Sequence, residues 1–198
     1  HARLLNTSKG PAVQAVRAAK EKGLKVTCEV TPHHFSLNDE HVRGYDTNTK
    51  MNPPLRTRDD VVAMKEALRD GVIDAIATDH APHAIFEKEV EYVYAPFGIV
   101  GLETAIGIAV TELVETGYLT LWELVEKMST NPRRILRLPE IRVEPGAQAN
   151  LTFFHPTREW QVDVAQFRSR SKNSPFHGAV LRGRPLGIFN KHQFVWML

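Results

Sequence analysis

The apolar run Val72-Ile73-Asp74-Ala75-Ile76 empties directly into Ala77-Thr78-Asp79-His80-Ala81-Pro82-His83, and this junction constrains the fold more than any other stretch of the chain. A buried strand that delivers a carboxylate and two imidazoles to its carboxyl end belongs to parallel sheets and barrels. Their strands read as nearly continuous apolar runs, and their reactive groups stand just past the strand ends. Pro82 excludes regular helix and biases Ala81 toward extended backbone, so His80 and His83 are expected on a stiff loop rather than one helical turn apart. Aspartate after a strand is also a residue type that caps the next helix, and from these residues alone both roles stand.

The flanking segments repeat a strand, helix, strand rhythm. Pro11 to Lys22 carries Val13 and Val16 among alanines at helical spacing, with Gly23 as a stop. Leu24 to Thr31 is rich in β-branched residues and reads as a strand ending at Pro32-His33-His34. A second helix opens at Thr57, with Asp60 in capping-box spacing, and closes before Gly71; the next strand is Val72 to Thr78. Alternation of this kind calls for a parallel sheet with helices outside it. The connection from Pro32 to Arg56 is longer than a turn requires, which marks Lys50-Met51-Asn52-Pro53-Pro54-Leu55-Arg56 as a segment with a task. Helices follow over Gly101 to Glu115 and Leu121 to Met128. From about Pro139 the texture changes to short apolar runs, Asn150 to Phe154, Ala179 to Arg182, Pro185 to Phe189 and Phe194 to Met197, expected to be short strands of a β-rich unit. The expected division is therefore 1–138 and 139–198.

Charge and cysteine content narrow the partners. The 25 basic and 23 acidic residues are spread along 198 positions, so no basic stripe points to nucleic acid or a membrane surface. No apolar stretch reaches the length of a membrane span and no signal peptide opens the chain, while the lone Cys28 excludes an internal disulfide; a cytoplasmic protein whose partners are small molecules or other proteins is expected. The chain starts at His1 rather than Met and reads from its first residues as the inside of a fold, as a fragment would.

Val26-Thr27-Cys28-Glu29-Val30-Thr31-Pro32-His33-His34, Lys50 to Arg56, Ile76 to His83, Ala95-Pro96-Phe97-Gly98-Ile99-Val100-Gly101-Leu102-Glu103-Thr104 and Asn131-Pro132 together resemble the dihydroorotases of the amidohydrolase superfamily, over essentially the whole chain. The aspartate-histidine pair near a strand end is shared with hydantoinases and allantoinases, whereas Met-Asn-Pro-Pro-Leu-Arg and Ala-Pro-Phe-Gly-Ile-Val-Gly are more specific. The resemblance implies an α/β fold, the C-terminal half of a metal-dependent (β/α)8 TIM barrel with a small β-sandwich segment. It implies reversible hydrolysis of the cyclic amide of dihydroorotate to N-carbamoyl-aspartate, a step of pyrimidine biosynthesis, with one or two zinc ions in the complete enzyme.

By the same resemblance Asp79 is the eighth-strand aspartate, a zinc ligand able to take a proton from water and pass it to the leaving nitrogen. Asn52 and His83 contact substrate, His83 near its carboxylate, and Phe97 and Gly98 lie against the ring through their main chain. Read without the resemblance, Asn52 is also simple turn chemistry and Gly98 a bend before a helix. His33 and His34 are expected to pack and hydrogen-bond at the strand end rather than bind metal, and Arg133 and Arg134 to face solvent or a subunit contact. Asn6 stands where the family has its sixth-strand ligand histidine, and an amide is a poor zinc ligand; His1 lies five residues off that pattern. With one matching ligand the chain alone is expected to be inactive. Two other readings go with the resemblance. One is a non-catalytic dihydroorotase-like partner of aspartate carbamoyltransferase; catalytic or not, a homodimer or a complex with aspartate carbamoyltransferase is the assembly the resemblance implies. The other is a hydantoinase- or allantoinase-type cyclic amidase, disfavoured by Met51-Asn52-Pro53-Pro54.

Overall fold

Three short strands, β1 (Ala2–Leu4), β2 (Val26–Val30) and β3 (Ala75–Ile76), form a parallel sheet in the order β1-β2-β3. Leu4 lies opposite Cys28 and Val30 opposite Ile76. The computed structural model describes residues 2–196, so His1 and Met197 lie outside the described residues. Helix α1 (Gly10–Glu21) connects β1 to β2 and buries Val13 and Val16. Between β2 and β3 runs α3 (Arg58–Arg69), which buries Met64, Ala67 and Leu68 against the same core. Burying a large apolar side chain of this kind contributes about 1.5–3 kcal/mol. The Thr57 hydroxyl caps α3 by accepting from the Asp60 N–H, an interaction of about 1 kcal/mol. The Asp60 carboxylate also accepts from Gly10 N at 2.9 Å, which ties the first turns of the two crossover helices together.

The strand expected over Val72–Thr78 is shorter than the apolar run. The regular ladder starts only after Asp74: its N–H donates to Cys28 O at 2.9 Å, but its carboxylate accepts from Cys28 N at 2.8 Å and from Lys20 Nζ at 2.7 and 2.8 Å, doing with a side chain what a strand carbonyl does elsewhere. Beyond Ala77, whose N–H still reaches Val30 O at 3.0 Å, the chain turns at Asp79, whose φ is 48°. The strand expected over Leu24–Thr31 likewise narrows to β2. His33 and His34 follow the strand end as expected, in the helical turn α2 (Pro32–Ser36), both buried, with ring centroids 4.4 Å apart.

Past α4 (Ile85–Lys88), the helix expected from Gly101 begins at Ala105, as α5 (Ala105–Ala109), and continues as a π turn over Val110–Val114. The next helix opens as α6 (Leu121–Val125), passes through a π turn at Glu126–Thr130 and runs on as α7 (Asn131–Ile135), past the expected end at Met128. Asn131-Pro132 therefore lies on a continuing helical path. The π turn has already shifted the hydrogen-bond ladder, so the missing N–H of Pro132 falls at a first-turn position where it costs little.

The C-terminal strands β4 (Asn150–Gln161), β5 (Val180–Asn190) and β6 (Gln193–Trp196) form an antiparallel sheet in that order. The runs Ala179–Arg182 and Pro185–Phe189, expected as two strands, are one strand. Register irregularities at Phe153/Phe154 and His155/Glu159 let Pro185 sit opposite Phe154 without ending the pairing. This sheet is anchored to α5 and its π extension through Leu181, 6% exposed, and through Arg182 N, which donates to Thr111 Oγ1 at 2.8 Å. Between β4 and β5 the chain folds back, with Phe167, Asn173, Ser174 and Phe176 all buried. No helix among the described residues is long and apolar enough to cross a membrane.

Candidate active site

Asp79 lies three residues past β3 with an exposed side chain, and among the described residues it makes no hydrogen bond or ion pair. It caps no helix: α4 starts at Ile85 with Ala84 as its cap, so the simpler structural role that its position allowed is not the one it has. Its left-handed backbone is tolerated by aspartate better than by most side chains, but an ordered loop must still hold it. Two contacts do so from the following residues. The His80 Nδ1 accepts from Gly101 N at 3.1 Å, and Ala81 N donates to Ile99 O at 2.8 Å, so residues 80–81 lie parallel to 99–101.

The same pairing brings His83, Phe97 and Gly98 together. The His83 Nε2–H donates to Phe97 O at 2.9 Å, and Nδ1 on the other face of the ring lies 3.9 Å from Glu87 Oε2. Gly98 has φ 98°, and a Cβ built there would stand 2.6 Å from the Ala81 Cβ. Only glycine lets the two loops approach this closely. Gly98 N in turn donates to Lys50 O at 2.9 Å, which joins the pair to the segment that carries Asn52. Asn52 itself is exposed, and its peptide bond to Pro53 is cis.

Three residues with no assigned role in the sequence motifs hold this arrangement. Lys50 Nζ donates to Val93 O at 2.8 Å and Ala95 O at 2.7 Å and lies 4.9 Å from the centre of the Phe97 ring. Lys88, 6% exposed, donates to Thr47 O at 3.0 Å and Pro96 O at 2.8 Å, and burial pushes its ammonium down to about 8. The Asn173 amide bonds to the loops on both sides of the site from 75 to 92 residues further along the chain. One signal for it was available: a polar stretch bracketed by Phe167 and Phe176 must fold back on the core if both aromatics are to be buried.

His34 shows why the histidine pair at the end of β2 is structural in this chain. Its Nε2–H donates to Pro53 O at 2.9 Å, so Nδ1 is the acceptor for the Thr31 hydroxyl at 2.7 Å. Burial lowers the basicity of both rings; for His33 the neighbouring His34 adds to the effect, and for His34 the Pro53 carbonyl and Asp79 work against it. Asn6 lies just past β1 with φ 48°, a backbone setting it shares with Asp79 past β3. Arg133 and Arg134 follow expectation in part: Arg134 is exposed, while Arg133 Nε donates to Pro139 O at 3.0 Å.

Among the described residues no group of three or more His, Cys, Asp or Glu side chains could hold a metal ion. The donors among the described residues therefore do not fit a metal by themselves; Asp79 supplies one carboxylate, and a stable site needs more.

Comparison with known proteins places this geometry. The chain matches the amidohydrolase family over residues 6–186. It is 53% identical over 182 residues to a protein named dihydroorotase from Pelotomaculum thermopropionicum, an alignment covering 92% of this chain and 43% of that protein. A protein of the same name from Geobacter metallireducens is 55% identical over 172 residues, covering 87% of this chain and 40% of its own. Among solved structures, the L-hydantoinase (dihydropyrimidinase) from Arthrobacter aurescens matches with a TM-score of 0.90 at 28% identity, over 98% of this chain and 44% of that one. The chain spans less than half the length of these relatives, and its three parallel strands with their helices are part of an α/β barrel of the metal-dependent hydrolase type.

Proposed function

The chain belongs to the amidohydrolase family, and from that premise we propose that it is the C-terminal half of a dihydroorotase, which hydrolyses the cyclic amide of dihydroorotate reversibly to N-carbamoyl-aspartate. The observation that carries the reading is Asp79: an unpartnered carboxylate, held in left-handed backbone at the exposed end of a buried parallel strand. Identity of 53% to a protein named dihydroorotase, against 28% to a hydantoinase, favours dihydroorotate over a hydantoin as substrate.

In this reading Asp79 takes the proton from the attacking water and returns it to the amide nitrogen as the ring opens, a role for which its exposure and lack of partners leave both oxygens free. His83 contacts the substrate near its carboxylate, its ring held in place by the Nε2–H bond to Phe97 O. Asn52 contacts the substrate from the neighbouring segment. The main chain of Phe97 and Gly98 lies against the ring, where the absent Cβ of Gly98 permits close approach. Members of the family are generally metal-dependent. Zinc is the metal we propose for the whole protein, with Asp79 one of its ligands and the others outside this chain. The antiparallel sheet turns the aromatic cluster Phe153, Phe194 and Trp196 outward, with Phe194 56% exposed. We read residues 139–198 as one layer of a β-sandwich completed by the rest of the protein, and residues 1–138 as its barrel part.

The test is the full-length gene product. It is expected to open dihydroorotate, to close N-carbamoyl-aspartate and to carry zinc by elemental analysis. A product that holds no metal and opens neither dihydroorotate nor hydantoin is the non-catalytic partner instead. Sizing the same preparation, alone and with aspartate carbamoyltransferase, tests the assembly that the resemblance implies.

A further inference from the structure

Asn173 stands between β4 and β5, 75 to 92 residues from the partners of its amide in the loops that carry the proposed substrate contacts, and it touches both loops. Its Oδ1 accepts from His83 N at 3.2 Å, its Nδ2 donates to Ala81 O at 3.0 Å and to Gly98 O at 3.3 Å, and its own carbonyl accepts from Val100 N at 3.0 Å. These partners fix the orientation of the amide, since a flip would set donor against donor at His83 and acceptor against carbonyls at Ala81 and Gly98. The residue is 6% exposed, so no bulk water replaces a lost bond.

What the amide joins is otherwise joined weakly. The loops 78–83 and 97–101 meet through the single bridge His80↔Ile99, the Ala81 N to Ile99 O bond, the His80 ring and the His83 ring. Neither loop reaches the other by a regular ladder, and Gly98 must stay within a methyl's width of Ala81. A buried primary amide is the side chain that can both accept from and donate to one loop, at His83 N and Ala81 O, while its second N–H donates to the other, at Gly98 O. Asparagine therefore does here what aspartate or leucine of similar size cannot.

We propose that Asn173 is a positioning residue for substrate binding: the C-terminal β unit reaches through it into the barrel mouth and sets the spacing between His83 and Gly98. The proposal rests on the reading of those two residues as substrate contacts. It makes the segment between β4 and β5 part of the binding site's framework, so the C-terminal unit is not an appendage to a self-sufficient barrel.

The experiment compares Asn173→Asp with the wild type in the full-length gene product. Aspartate keeps the acceptor for His83 N and sets a carboxylate against the carbonyls of Ala81 and Gly98. KM for dihydroorotate is expected to rise on the order of 10-fold, while kcat changes by less than about threefold. Amide exchange over residues 81–100 is expected to quicken. A merely structural asparagine would lower the folded, active fraction and so kcat, with KM and the exchange of that segment in the surviving enzyme unchanged; that result overturns the proposal. Should the buried charge prevent folding, Asn173→Ala removes the bonds without adding one and carries the same two readouts. If the wild type opens no dihydroorotate, the functional reading fails. The exchange experiment then decides the positioning role alone, with faster exchange in the variant supporting it and unchanged exchange overturning it.

Discussion

The two sheets of this chain differ in almost every structural respect. The longest parallel strand has five residues and the longest antiparallel strand has twelve. Yet the last three residues of β2 and both of β3 are buried, while no residue of β4 is buried and all of β6 is exposed. Every proposed substrate or metal contact lies on a loop beside the short strands, and none lies on the long ones. Length of ladder and rigidity of a site are therefore separate properties. A two-residue strand can hold a reactive loop firmly when its side chains are enclosed and its continuation is tied to neighbouring loops, whereas the twelve-residue strand, with Phe154 and Trp160 only half-buried against the core, carries none of the proposed contacts.

The largest test of that contrast is Asp79→Asn. Asparagine accepts left-handed backbone about as well as aspartate and the position is exposed, so the fold should shift by no more than about 0.5 kcal/mol. Turnover of the full-length product should fall on the order of 10²- to 10⁴-fold, measured by the opening of dihydroorotate. Retained turnover would take Asp79 out of the reaction and leave the short strands without a chemical purpose.

A pair of glycines sharpens the comparison at intermediate size. Gly98 and Gly183 both have positive φ, 98° and 82°, and a Cβ on either would come within 2.6 Å of a neighbour, the Ala81 Cβ in one case and Val110 Cγ2 in the other. Alanine at either position should cost about 1–3 kcal/mol of stability, read from denaturant midpoints. Gly98→Ala should also raise KM on the order of 10-fold, whereas Gly183→Ala, where the antiparallel sheet meets Val110, should leave KM within about twofold. Equal kinetic effects would mean that both sheets share in the site's framework to the same degree.

The smallest effect concerns pH. His33 and His34 are buried beside the parallel sheet, while His155 and His192 of the antiparallel unit are exposed. Burial holds both buried rings below their ordinary value of 6.5, so the unfolded chain takes up protons that the folded chain refuses. The stability they support is complete above about pH 6.5 and is lost as the pH falls below it, by about 1.4 kcal/mol per pH unit for each extra proton bound on unfolding. Thermal midpoints should be level above that point, with respect to these two rings, and decline beneath it. His33→Gln should soften the decline, and an unchanged acid limb would show that the buried ring is not its source.

Much of the framework was legible in the amino-acid order. Val13 and Val16 at helical spacing, Thr57 and Asp60 at the start of α3, and the apolar run before Asp79 report local preferences, which act over a few residues and so leave their mark in a few residues. The boundaries were less legible where side chains replaced main chain. Asp74 takes the place of a ladder partner at Cys28, which shortens β3, and nothing in the run Val72 to Ile76 announces that its one carboxylate is aimed inward. The continuation of α6 through a π turn into Asn131-Pro132 was hidden for a similar reason, because Pro132 reads as a helix end unless the ladder ahead of it is already displaced.

By itself the sequence determined that a carboxylate and two imidazoles follow a buried strand, and through its motifs it pointed to the amidohydrolase family. Tertiary structure alone decided that Asp79 stays free of partners, that His83 spends one nitrogen on Phe97, and that Lys50, Lys88 and Asn173 hold the loops in place. The physical reason is distance along the chain. Hydrophobic periodicity and capping are settled between neighbours, whereas a hydrogen bond from Asn173 to Ala81 joins groups ninety-two positions apart and exists only once the burial of Phe167 and Phe176 has brought that segment back onto the barrel.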